Sequence, residues 1–95
     1  MDRERSADEI EMVRLALEDL SLYSMKCADS LSNKNSVLHK RMLEVNQVSD
    51  QMLKVGHYPT IACLDRLKQA VKECWLDDLT TNVIDFKKIL KEYES

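Results

Sequence analysis

Apolar residues recur on one seven-residue frame from Ile10 to Val55. The first core position falls on Ile10, Leu17, Ser24, Leu31, Leu38, Val45 and Met52. The second falls on Val13, Leu20, Cys27, Lys34, Arg41, Val48 and Val55. Ser24 breaks the first set, and Lys34 and Arg41 break the second. No Gly or Pro interrupts the run. Apolar residues spaced by 3.5 over so many turns mark a long helix packed along its length.

The frame fits the composition. A chain of 95 residues makes one domain, residues 1–95. Charged residues make up 33% and aromatics 5%, with one Gly and one Pro, which favours long helices over sheet. The fold class expected is all-α. Net charge is −3 with both signs interspersed, so no basic stripe is available for nucleic acid or for an anionic membrane surface. The acid is concentrated at the front: residues 1–31 hold eight acidic and four basic side chains, a net −4. Residues 32–59 hold two and four, and residues 60–95 hold seven and six, for +2 and −1. A sign change of this kind sets register against a partner helix, or it is simply a solvated face.

No apolar run approaches the ~18 residues of a membrane span, and the amino terminus lacks signal-peptide shape. The opening Met1-Asp2-Arg3 does not fit a myristoylation pattern, and the chain does not end in a prenylation box. Cys27, Cys63 and Cys74 are odd in number and have no framework spacing, which favours reduced thiols. Together these features point to a cytoplasmic or nuclear setting.

Ser6-Ala7-Asp8-Glu9 reads as a capping box that starts a helix. Beyond it, Met12, Leu15 and Leu22 form a second apolar stripe. Leu15 and Leu22 lie about 140° around the helix from the first core position. A helix apolar on two faces is usually buried on both. Ser30 to Ser36 is rich in Ser and Asn, which favour turns, yet the frame keeps phase across it. Phase favours one helix over residues 7–55; composition favours a break near 32–36 and a three-helix bundle. Gly56 suits a left-handed C-cap and Pro59 the first turn of a new helix. A turn at 56–59 would then join the first helix to a second over residues 60–94, as an antiparallel helical hairpin or coiled coil. The stripe of this second helix reads Leu64, Leu67, Val71, Cys74, Trp75, Leu79, Val83, Phe86, Ile89, Leu90 and Tyr93. Asp77 to Asn82 is its weak spot, suited to a kink or a fresh N-cap. Trp75 is expected in the core against Leu38 and Met42. Cys27 and Cys74 fall on the stripes and should be buried, with Cys63 at the edge and the first to react.

Chemistry is sparse. His57, Cys63 and Cys74 lack paired-ligand spacing for zinc. No cysteine has a histidine placed to activate it, and adjacent carboxylates such as Asp77 and Asp78 point apart on a helix. One Gly cannot build a phosphate cradle. The expectation is a non-enzymatic chain without metal, cofactor or small-molecule substrate.

Counting outward from the turn, the second helix reaches back only to about Leu20. Residues 7–20 would project roughly 21 Å beyond it. Six apolar side chains left in water there would forgo about 9–18 kcal/mol. Either the first helix folds back, or another chain covers it. Preserved phase favours the second outcome. Ile10, Met12, Val13, Leu15, Leu17, Leu20 and Leu22 are therefore the expected partner interface. The function expected is a structural or adaptor subunit assembling through helical contacts, by self-association or with other chains. The alternative is a monomeric bundle that recognises an amphipathic partner helix in an apolar groove. In general style the arrangement resembles the small coiled-coil subunits of vesicle-trafficking and chromosome-attachment complexes, on architecture and not on any motif.

Overall fold

Backbone hydrogen-bond competition decides the shape of the first half of this chain. A computed structural model describes residues 7–94, so the expected capping box at Ser6 lies outside the described residues. Helix α1 (Ala7–Ser30) stops where the Ser/Asn-rich stretch begins, and α2 (Val37–Val55) starts after it. The single helix over 7–55 is thus replaced by two. Asn33, Lys34 and Ser36 in the break have turn-making roles. The Asn33 Oδ1 accepts from the amide of Asn35 at 3.0 Å. Ser36 is the N-cap of α2, its Oγ accepting from the His39 amide at 3.1 Å. The Lys34 ammonium donates to the carbonyls of Ala28 (3.0 Å) and Asp29 (2.7 Å), closing the last turn of α1 with a cation.

The chain folds back through this loop, and α1 packs along α2. Ser21 and Asn46, equally far from the middle of the loop, are joined: the Asn46 Nδ2 donates to the Ser21 carbonyl at 3.0 Å and to its Oγ at 2.9 Å. That pairing is the signature of an antiparallel hairpin of helices. The middle of the apolar frame lies in the core, while Ile10 and Val55 at its ends are exposed. Val13, Leu17, Leu20, Val45, Val48 and Met52 are all buried. The frame located the stripe within each helix. Phase across the loop carried no information, because about two in seven positions are core positions and chance agreement is common.

Gly56 ends α2 as expected, at φ 70° in the left-handed region, with its amide donating to the Met52 carbonyl at 3.0 Å. A Cβ built there would meet nothing within 4 Å, so the demand is on backbone conformation alone. Gly56→Ala should therefore destabilise the fold by about 1–2 kcal/mol, the left-handed penalty, read as a lower midpoint in urea unfolding. An unchanged midpoint would show that the turn readjusts freely.

The second half is not one helix. Thr60 caps α3 (Ile61–Leu76), its Oγ1 accepting from the Cys63 amide at 3.1 Å. Asp77 then ends α3 and caps α4 (Asp78–Val83), accepting from the Leu79 amide at 3.0 Å. The weak spot at 77–82 is a real break. A second break follows at Ile84 and Asp85. The Asp85 Oδ1 accepts from the amides of Lys87 (3.0 Å) and Lys88 (3.2 Å) at the head of α5 (Phe86–Glu94).

These breaks re-sort the expected stripe. In α3 the buried residues are Cys63, Leu64, Leu67, Ala70, Val71 and Cys74. Their mean direction is about 80° away from Trp75 at ~100° per residue. Trp75 accordingly lies at the edge, 38% exposed, and Phe86 takes the central aromatic position at 0%. Leu79 and Val83 are outside the core, while Ile84 is inside it. Two thiols change places: Cys63 is buried and Cys27 only half-buried, while Cys74 is buried as expected. Burial also pushes the Cys74 thiol up, against the opposing hydrogen bond with Thr81. A thiol reagent should thus modify Cys27 first in the native protein, and Cys63 and Cys74 only as the chain unfolds. Peptide mapping of early adducts checks this; labelling that starts at Cys63 would contradict the packing.

The layering follows from who touches whom. Among the described residues α2 and α3 each touch every other helix, whereas α1 touches only those two. Neither α4 nor α5 meets α1. The molecule is an all-helical bundle with α1 on one side of α2 and α3, and α4 and α5 on the other.

Candidate interaction surfaces

Folding α1 onto α2 uses up one of its two apolar faces and leaves the other. Of the seven side chains expected at a partner interface, Val13, Leu17 and Leu20 lie in the chain's own core, so the chain itself covers them. Ile10, Met12, Leu15 and Leu22 remain exposed. Leu15 at 48% and Leu22 at 61% stand on the face away from α2. They are seven residues apart and so lie nearly above one another on the helix.

Acidic residues border this pair. α1 carries Asp8, Glu9, Glu11, Glu18, Asp19 and Asp29 against two cations, Arg14 and Lys26. Arg14 is engaged along the helix: its guanidinium donates to Glu11, and to the Glu18 Oε1 at 2.6 Å. The hydrogen bond from Arg14 holds the Glu11 carboxyl below its ordinary range. On the border nearer α3, the hydrogen bond with Cys27, aided by partial burial, raises the Tyr23 hydroxyl above its usual pKa.

A second apolar surface was not expected, because Trp75, Leu79 and Val83 were assigned to the core. Leu76, Leu79 and Val83 are 85%, 74% and 81% exposed, at the end of α3 and on α4. Half-exposed Trp75 adjoins Leu76 in the chain. The cause is the Asp77 break, which turns α4 so that Thr81 faces inward. The Thr81 Oγ1 donates to the Cys74 carbonyl at 2.6 Å, burying a hydroxyl where the helical stripe would have put Leu79 and Val83. A sequence signal did exist: Asp77 followed by Thr80 and Thr81 is strong N-cap chemistry.

A shallow cleft of about 410 Å³ runs between α1 and α3, lined by Ala16, Leu20, Tyr23 and Val71 with Asp19, Lys68 and Lys72 at its edges. Another cleft, of about 500 Å³, lies at the α2–α3 turn beside His57, Tyr58, Leu90 and Tyr93. Among the described residues no group of three or more His, Cys, Asp or Glu is placed to hold a metal, and no helix is long and apolar enough to cross a membrane. Set against known proteins, the chain matches no family model, no curated protein and no solved structure.

Proposed function

We propose that the chain is a non-catalytic structural or adaptor subunit that joins other protein chains through helical contacts. The observation that carries this reading is a pair of separate apolar surfaces, one on the outer face of α1 and one at the end of α3 and on α4, with no contact between α1 and α4 among the described residues. Apolar side chains scattered singly are ordinary on a protein surface. Several on one small face mark a surface that another molecule covers. Two such faces on opposite sides of one small bundle suit a chain that bridges partners.

The α1–α3 cleft supports a second reading, a monomeric bundle that takes an amphipathic helix into a groove. The two readings differ in the behaviour of the full chain in native extract of its source cells. As a subunit, the tagged chain runs in a complex well above its own 11.1 kDa. Leu15→Glu with Leu22→Glu, or Leu79→Glu with Val83→Glu, then shifts it toward monomer size while helical circular dichroism is retained. A wild-type chain that runs as a monomer in extract overturns the subunit reading.

A further inference from the structure

We propose that the outer face of α1 docks one amphipathic helix of another protein, with an apolar seam laid on Leu15 and Leu22 and Lys/Arg residues along its flanks. This rests on the subunit reading and adds the chemistry of the partner. The shape of the site calls for a helix. Leu15 and Leu22 are one heptad apart on a continuous 24-residue helix, the spacing at which knobs from a facing helix repeat. Among the described residues no helix covers that face, since Leu15 and Leu22 stay exposed and α1 touches only α2 and α3.

The charge of α1 selects among helices. Six carboxylates against two cations leave it at −4, and Arg14 is already engaged with Glu11 and Glu18. At ~100° per residue Glu11 and Glu18 border the leucine seam on one side, and Asp8, Asp19 and Lys26 on the other, where Asp19 shares the α1–α3 cleft with Lys68 and Lys72. Flanking positions of a helix pair decide partner choice through charge. A second copy of this face would set carboxylates against carboxylates across the seam, as would an acidic helix. An anionic lipid surface is repelled for the same reason. A basic flank complements the Glu11–Glu18 border, where one Arg14 is shared by two carboxylates, and speeds encounter.

The test uses the full chain and two synthetic helical peptides with the same leucine seam, one flanked by lysine and one by glutamate. Fluorescence anisotropy should show the lysine peptide binding at least about tenfold more tightly than the glutamate peptide. That preference should fade as salt shortens the Debye length from about 10 Å to about 3 Å. Leu15→Glu with Leu22→Glu should abolish binding, whereas Leu79→Glu with Val83→Glu should leave it unchanged. Equal binding of the two peptides, or binding of neither, overturns the proposal. So does self-association of the wild-type chain through Leu15 and Leu22, or pelleting with phosphatidylserine vesicles that those substitutions abolish. The two levels fail separately. A chain that is a monomer in extract but prefers the lysine peptide loses the subunit reading and keeps the strip. A chain in a large complex that ignores the peptide loses the strip and keeps the subunit reading.

Discussion

Replacing Phe86 with alanine should destabilise the chain by about 3–5 kcal/mol, whereas replacing Trp75 should cost about 1 kcal/mol. Phe86 is the only phenylalanine and is completely buried, at the head of α5, in the same core as Leu17, Met42 and Leu67. Truncating it removes transfer energy and leaves a cavity that rigid helices on either side cannot close. Small domains sit toward the low end of about 5–15 kcal/mol of net stability, so such a loss takes most of what is available. At 4–8 °C per kcal/mol for a chain of roughly this size, the melting temperature should fall by about 12 °C or more. Phe86→Leu keeps the site filled and should cost less than about 1.5 kcal/mol. Trp75, at 38% exposure, gives up far less when truncated. Urea unfolding of the three variants measures the order. A Trp75→Ala loss equal to that of Phe86→Ala would mean that α3 is turned toward the core by another quarter of a circle.

That reversal of roles shows where sequence reasoning held and where it failed. Composition and periodicity were enough for an all-helical chain, for the Gly56 turn and for the inward stripes of α1 and α2. Periodicity says which side of a helix is apolar, but it does not say that the helix is continuous. Continuity is settled by local hydrogen-bond chemistry, and here the local residues won at both weak stretches. The exceptions to the heptad frame were the better guide. Lys34 occupies a core position in the frame, yet it leaves the helix to close the end of α1. Arg41 occupies the next one and reaches across to α4. A charged residue on an apolar frame says that the frame has been broken or that a long-range partner exists, and in this chain each meaning applies once. Leu15 and Leu22 were legible as a second face because their spacing does not depend on what α1 packs against. Leu79 and Val83 were not, because their exposure depends on a turn of α4 that the Asp77 cap sets.

The largest polar effect should come from Arg41 and Glu44, which together hold the bend between α4 and α5. The Arg41 Nε donates to the Thr81 carbonyl at 3.0 Å, and its Nη2 to the Asn82 carbonyl at 3.4 Å. Both carbonyls belong to the last turn of α4, the negative end of that helix, where a cation is favourable. The Arg41 Nη1 also pairs with the Glu44 Oε2 at 3.2 Å. The other oxygen of Glu44 accepts from the Phe86 amide at 3.0 Å, so a carboxylate sits at the positive end of α5. One ion pair on α2 thereby satisfies the orphan groups of two short helices that could not stand alone. Both side chains are about one-fifth exposed, so the pair is neither a surface bridge worth almost nothing nor a fully dry one. Hydrogen bonds to charged groups contribute about 1.5–3 kcal/mol, and Arg41→Ala removes several at once, so a loss of about 2–3 kcal/mol is expected. Glu44→Ala should cost about 2 kcal/mol, and Glu44→Gln, which keeps an acceptor for the Phe86 amide, about 1 kcal/mol. The double variant should cost less than the sum of the singles by about 1 kcal/mol, because the two residues act on each other. Location is the sharper readout. Amide exchange should quicken across α4 and α5, with Phe86 foremost, while the α1–α2 hairpin stays protected. If Arg41→Ala changes stability by less than about 0.5 kcal/mol, the ordinary range for a surface substitution, the bend is held by Phe86 and Ile89 packing alone.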